Sequence, residues 1–592
     1  MLKLASIHEK LSIKLLLLFL NQYWEIILKK WLFNLAATAA LAFVAIASAS
    51  AKDKTILFLS EDVPPSLNYD GPNASAPPTQ MGIVNLMEPL VYYATKKRTA
   101  DGAVFLDVNK FEGRLAESWK HDKANNKWTF KLRKGVKGCN GATFDADDVI
   151  YTFQRAKTVS GKAPVGWFLS NVASIAGFTP AVFGKEAKNL EAKKLKDSEV
   201  RKIDKYTVEF TQSGPNKLFL PVLTIFALYI YDKELMEANS TEADPWAHDY
   251  TNNKNVPSFG PYCLSKWEKD KEFVVKANPD YYRGKADIDR VIMKKVPEGV
   301  QRLAILRSGQ AQLVEHLTPK EFDALKKVKN VKVISVAGNA SSYIHMNWEQ
   351  KPWDNITLRK AIAYALPYDK IINDVYFGDG KKYNGVMPSF YPGYHQVDFE
   401  YKQDIDKAKS LLAEAGYPGG KGLEAFKDAM MLTYTTEKEN ILGPMATVIQ
   451  TELKKIGVPV VLNPIPQTQF SDRELVKKDL PFAIIDHSKP IGIEAGYAIQ
   501  LLYLSPEKGG LSNYGRYRNA EVDELWLTKA KTEPDDFRRN SVMAKIQEIL
   551  MNEVVIAPVI ENNLQWAMSK KLSGVGFHPE QALRWHDLKM AD

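Results

Sequence analysis

The stretch from Ser341 to Ile372, SSYIHMNWEQKPWDNITLRKAIAYALPYDKII, constrains the chain more than any other. Along Tyr343-Ile344-His345-Met346-Asn347 the residues alternate in character. A strand there puts Tyr343, His345 and Asn347 on one polar, aromatic face and turns Ile344 and Met346 toward a core. Lys351-Pro352-Trp353-Asp354 reads as a turn, after which Asp354 or Asn355 caps a helix. Leu358, Ala361, Ile362, Ala365 and Leu366 then form one apolar stripe at helical spacing. Pro367 cannot sit inside that helix, so the helix ends there or a new one starts.

The strand ending in Asn347, the turn Pro352-Trp353-Asp354 and the helix with Arg359, Ala361 and Ala365-Leu366 resemble the signature of the family 5 extracellular solute-binding proteins. These are the periplasmic oligopeptide-, dipeptide- and nickel-binding components of ABC importers. Where the family continues with Asp-Arg, this chain has Pro367-Tyr368, a departure that bears on helix geometry. Further landmarks follow in family order. LAESWK and KWTFKLRKGV precede a helix from TFDADDVIYTFQRA, and Phe259-Gly260-Pro261-Tyr262 leads to Asn278-Pro279-Asp280-Tyr281-Tyr282. Arg302 to Leu317 and the helix from Asp404 to Gly416 come after them, with matches covering roughly residues 54 to 590. In KWTFKLRKGV, Trp128, Phe130 and Leu132 alternate with polar residues as in a half-buried strand. Asp147-Asp148 suit the first turn of the helix that Asp145 or Thr143 starts, so capping explains the acidic pair better than metal or catalysis.

The resemblance implies a bilobed α/β periplasmic-binding-protein fold with a hinge and an extra subdomain on the first lobe. Residues 52–95 and 201–336 are expected to build the first lobe, with the subdomain at 96–200. Residues 337–555 form the second lobe, and 556–592 return to the first. Ahead of these, Lys29-Lys30 precede an apolar run from Trp31 ending in Ala47-Ser48-Ala49 and Ala49-Ser50-Ala51, the three parts of a secretory signal peptide. Cleavage is expected after Ala49 or Ala51, with residues 1–51 removed, and a translation start near Leu28 fits the pattern better than Met1. The expected destination is the periplasm.

Composition serves mainly to exclude. Of 592 residues 45% are hydrophobic, which is ordinary for a globular chain. The net charge of +9 comes from interleaved lysines and acids rather than a basic block, so nucleic acid is not an expected partner. No P-loop, G-x-S-x-G, H-E-x-x-H or dinucleotide fingerprint is present, and the nine histidines are scattered. No catalytic residue, metal or cofactor is therefore expected. A secreted hydrolase with a noncontiguous site is the alternative, and a chaperone-like role a third reading. Cys139 and Cys263 are the two cysteines. Pairing across a loop of about 120 residues and two independent buried thiols both stay open.

The ligand candidates follow from the resemblance. The loop after the first strand lines the family's cleft, which points to Glu61, Asp62 and Val63. Tyr343 falls where peptide-binding relatives place a cleft tyrosine, and Asn347 supports the turn beside it. Peptide binders hold the ligand's amino group with an Asp after a Trp-rich strand. The matching region, Pro481 to Tyr497, lacks the Trp and the Ala-Asp pair, so Asp486, His487 or Glu494 is expected to replace that anchor. Glu561 and Asn562 lie where relatives cross back to the cleft. A peptide-like solute is the expected ligand and ABC permease subunits the expected partners of a monomer. The departure near Asp486 leaves a modified amino acid, opine, sugar conjugate or metal chelate open.

Overall fold

The computed structural model describes residues 53–71, 73–74, 76–99, 103–158, 165–178 and 194–591. The signal peptide, its cleavage sites and the start near Leu28 lie outside the described residues. The folded unit Thr55–Asp592 is mixed α/β, organised on one eleven-stranded sheet.

Two long strands carry that sheet. Val331–Met346 has 16 residues, roughly 53 Å when extended, and Ala557–Ser569 runs antiparallel beside it. Residues Val331 to Ala337 pair with Ser569 to Asn563 at one end. Ser341 to Ile344 pair with Glu561 to Ala557, and on their other edge with Ser488 to Ile484. Between the two sets the register shifts, at Ala337/Ser341 and again at Ser342/Tyr343. The first end continues through Leu313–Val314 to Thr55–Ser60, which pairs in parallel with Arg290–Lys295. The second end continues through Phe482–Ser488 to Met431–Thr435 and Val461–Ile465, both pairings parallel. A separate antiparallel sheet of Ala116–Asp122, Lys127–Leu132, Thr207–Thr211 and Val200–Asp204 stands off this path.

The local rules hold at the elements that position the site. Asn355 is the cap of helix Ile356–Ala365, its side chain accepting from the backbone of Thr357 and Leu358. Leu358, Ala361, Ile362, Ala365 and Leu366 are all fully buried. Pro367 both ends that helix and precedes the short turn Tyr368–Lys370. Asp404 caps Ile405–Glu414, and Gly416 follows at φ 94°, the left-handed conformation a helix terminus favours for glycine. Asp145 Oδ1 accepts from Asp147 N at 2.8 Å at the start of helix Ala146–Thr158.

One expectation needs correction. The alternation at Tyr343–Asn347 predicts one polar face and one core face, yet both are buried, with Tyr343 3% and Asn347 0% exposed. The strand lies inside the sheet, so neighbouring strands occupy both of its edges and packed elements cover both faces. Cys139 and Cys263 form a disulfide with Cα atoms 5.6 Å apart, tying the turn after Gly138 to strand Tyr262–Glu268.

Candidate functional site

The register break brings distant segments together. Asn339, fully buried at the break, donates from Nδ2 to the carbonyls of Pro490 at 3.0 Å and Pro579 at 2.8 Å. Its Oδ1 accepts from Gln581 Nε2 at 3.0 Å. Ile493 N donates to Tyr93 Oη at 3.0 Å, and Lys489 Nζ reaches the Glu580 carbonyl at 3.4 Å. Farther along, Trp167 Nε1 donates to the Gly509 carbonyl at 3.0 Å and Lys531 Nζ to that of Asn171 at 2.5 Å. The segment 489–493 thus forms a seam against Tyr93 and the chain around 577–581.

Tyrosines wall the seam. Tyr391 Oη donates to the Pro490 carbonyl, Tyr503 Oη to that of Val386 at 2.5 Å, and Tyr343 interacts with Ser488. Burial pushes the phenols of Tyr343, Tyr383, Tyr391 and Tyr503 well up from their ordinary value, so they stay neutral donors at any physiological pH. Amphipathic rings with a hydroxyl at the tip suit a partly polar organic solute.

Tyr343 reaches this wall. Asn347 spans the turn, donating to the Lys478 carbonyl and accepting from Glu349 N, both at 3.1 Å. Glu61 is exposed, Asp62 pairs with Lys295 at 3.1 Å, and Val63 is part of the core at the end of the first strand. Asp486 pairs with Lys438 at 2.6 Å. The His487 side chain lies outside the described residues. Glu494 caps helix Ala495–Leu502 and pairs with Arg539 at 2.6 Å. Glu561 pairs with Lys381 at 3.1 Å and accepts from Ser389, while burial raises its carboxyl above the usual range. Asn562 donates to Ser342 Oγ at 3.1 Å. Sequence reasoning missed Tyr93, Asn339, Tyr383, Tyr391 and Lys489. Lys489 stood inside the very segment searched, but the search there was for an acid.

A cavity of about 30 Å³ lined by Asn85, Glu88, Tyr92, His578 and Arg584 has room for about one water. Among the described residues, no group of three or more His, Cys, Asp or Glu side chains is placed to hold a metal ion.

Two sheet ends joined by paired long strands, with buried tyrosines across the joint, are the frame of a solute-binding protein only in the light of the family match. Residues 110–504 match the bacterial extracellular solute-binding proteins, family 5 middle. The chain belongs to this family, the non-catalytic substrate-binding components of ABC transporters. It is 26% identical over 468 residues to the probable D,D-dipeptide-binding periplasmic protein DdpA of Escherichia coli (strain K12), covering 79% of this chain and 82% of that one. Heme-binding protein A of Haemophilus influenzae is 28% identical over 455 residues, 76% of this chain and 78% of its own. The fold matches the periplasmic binding protein DppA of Helicobacter pylori, solved with the peptide STSA. The TM-score is 0.71 at 23% identity, over 91% of this chain and 98% of that one.

Proposed function

We propose that this protein captures a peptide-like solute in the periplasm, closes two lobes over it, and delivers it to an ABC permease. The carrying observation is the seam. Two long strands pass from one set of pairings to the other, and the polar contacts across the joint are single hydrogen bonds, beside the ring contacts Trp167–Tyr497 and Phe390–Phe577. Such contacts can open and re-form while each end of the sheet keeps its own packing, which is what hinge closure requires. The first lobe comprises 52–95, 201–336 and 556–592 with the subdomain 96–200, and the second comprises 337–555. Tyr343 lies against the solute on this reading, and the protein acts as a monomer. A peptide-binding relative and a peptide-bound structural neighbour support the solute class.

The test is small-angle scattering of the mature protein titrated with a di- and tripeptide mixture, followed by mass spectrometry of what is retained. The expected result is a saturable change in the scattering profile and recovery of one intact component. A profile unchanged when native mass spectrometry shows full occupancy refutes the clamp. Recovery of cleaved peptide refutes binding without chemistry.

A further inference from the structure

Four carboxylates along the seam each carry a cation of their own. Asp486 has Lys438 at 2.6 Å, Glu494 has Arg539 at 2.6 Å, Glu561 has Lys381 at 3.1 Å, and Glu580 has Arg584 at 3.1 Å. Each charge is answered within the protein. No seam carboxylate among them is therefore in reserve for a ligand's ammonium group.

Lys489 is the reverse case. It follows strand Phe482–Ser488 directly, opposite the register break, because Ser488 pairs with Ser341. Its Nζ has one protein acceptor, the Glu580 carbonyl at 3.4 Å, and no described carboxylate lies within ion-pair distance. The Glu580 carboxylate is nearby but is held by Arg584 and by Tyr92 Oη at 3.2 Å. A half-buried ammonium group with three donors and one long hydrogen bond is electrostatically incomplete.

We propose that Lys489 reads a carboxylate on the bound solute, so that the substrate class is defined by an acid group and needs no free α-ammonium group. This rests on the reading of the seam as the solute site and deepens it. A carboxylate there supplies the missing counter-charge and accepts the unused donors, beside tyrosine walls that stay neutral. The charge state of Lys489 bears on the same point. Burial, then the nearby Lys438, lowers its ammonium to about 8, with Glu580 pulling the other way. Binding of an acid restores the charged form. Affinity is thus expected to be level below about pH 8 and to fall above it, as deprotonation of the free protein competes with binding.

The experiment uses matched probes on the mature protein: Ala-Phe, N-acetyl-Ala-Phe, Ala-Phe-amide, Ala-Glu-amide and an N-carboxyalkyl amino acid. Calorimetry is run on the wild type, Lys489→Met and Lys489→Arg. The expected result is that N-acetyl-Ala-Phe binds as well as Ala-Phe, while Ala-Phe-amide binds about ten- to a hundredfold more weakly, the range for loss of a hydrogen bond to a charged group. Lys489→Met should equalise acid and amide, and Lys489→Arg should keep the preference. Ala-Glu-amide distinguishes a side-chain carboxylate from a terminal one. Wild-type protein that binds the amide as tightly as the acid overturns the assignment, whether or not the variants fold. So does an acid preference that survives in folded Lys489→Met. Retention of the N-carboxyalkyl acid alone, lost in Lys489→Met, keeps the assignment and refutes the peptide reading. Retention of no probe overturns both.

Discussion

Replacing Tyr93 by Phe tests closure with a single atom. The Tyr93 hydroxyl accepts from Ile493 N at 3.0 Å at a buried position, a contact that the proposed closure makes and opening breaks. Tyr93→Phe leaves the ring in place and strands that amide without a partner. A buried donor left unsatisfied costs about 1–3 kcal/mol. The cost falls on the closed form alone, because opening returns the Ile493 amide to water. If the solute binds only the closed form and the free protein is mostly open, affinity drops by the same energy, about 5- to about 140-fold. The assay pairs calorimetry of the bound solute with thermal melting of the ligand-free protein. Affinity should fall while the ligand-free melting temperature barely moves. Tyr517→Phe is the opposite control. Its hydroxyl donates to Glu553 at 2.7 Å within the second lobe, so melting should suffer and affinity should not. The reasoning is refuted if Tyr93→Phe binds within twofold of wild type, or if its ligand-free melting temperature falls as far as that of Tyr517→Phe.

Two further predictions concern stability. The Cys139–Cys263 bond closes a separation of 124 residues, and loop-closure entropy assigns such a crosslink up to about 5 kcal/mol. Cys139→Ser/Cys263→Ser should lower the urea midpoint strongly without changing the solute bound; a loss under about 1 kcal/mol would show that the unfolded chain gains little from release. Asp148 is pushed up to about 7 by burial, against two backbone amides that favour its charged form. The native state therefore holds a proton that the unfolded state has released, and this residue's contribution should decline as pH rises from about 4 to about 7. Asp148→Asn should flatten that part of the pH–stability profile relative to wild type, and parallel profiles would count against the assignment.

Much of the architecture was legible because its signals are local. Asn355 at its cap, the stripe from Leu358 to Leu366, and Asp404 with Gly416 each follow from spacing and a terminal residue. Burial of both faces of Tyr343–Asn347 was not legible, since alternation reports chemistry along a strand and says nothing of what covers it. The disulfide needed the turn at Gly138 carried to strand Tyr262–Glu268, a long-range fact. In the segment from Pro481 to Tyr497 the sequence shows the acids but not the state of their charges. Asp486 is answered by Lys438, 48 residues away, and Glu494 by Arg539, 45 away, and no spacing rule links such pairs. Each acid stands in the region that the resemblance marks for an anchor, and its pairing within the protein is invisible in the sequence.

The register break also explains how a continuous sheet can serve as a joint. Between Ala337 and Ser341 the ladder with Ala557–Ser569 is interrupted, which would ordinarily leave backbone polar groups of neighbouring segments without partners. Asn339 meets that need with its side chain, spending both amide hydrogens on Pro490 and Pro579 and its oxygen on Gln581. On the proposed division Pro490 belongs to the second lobe and Pro579 to the returning chain, so one amide group links both sides of the seam where the strand pairing is interrupted. A ladder of backbone bonds would make that point rigid, and an apolar residue would leave two carbonyls unanswered. On the proposed hinge reading, a short polar side chain lets the lobes separate at the cost of a few hydrogen bonds that water replaces, and those bonds re-form when the solute draws the lobes together.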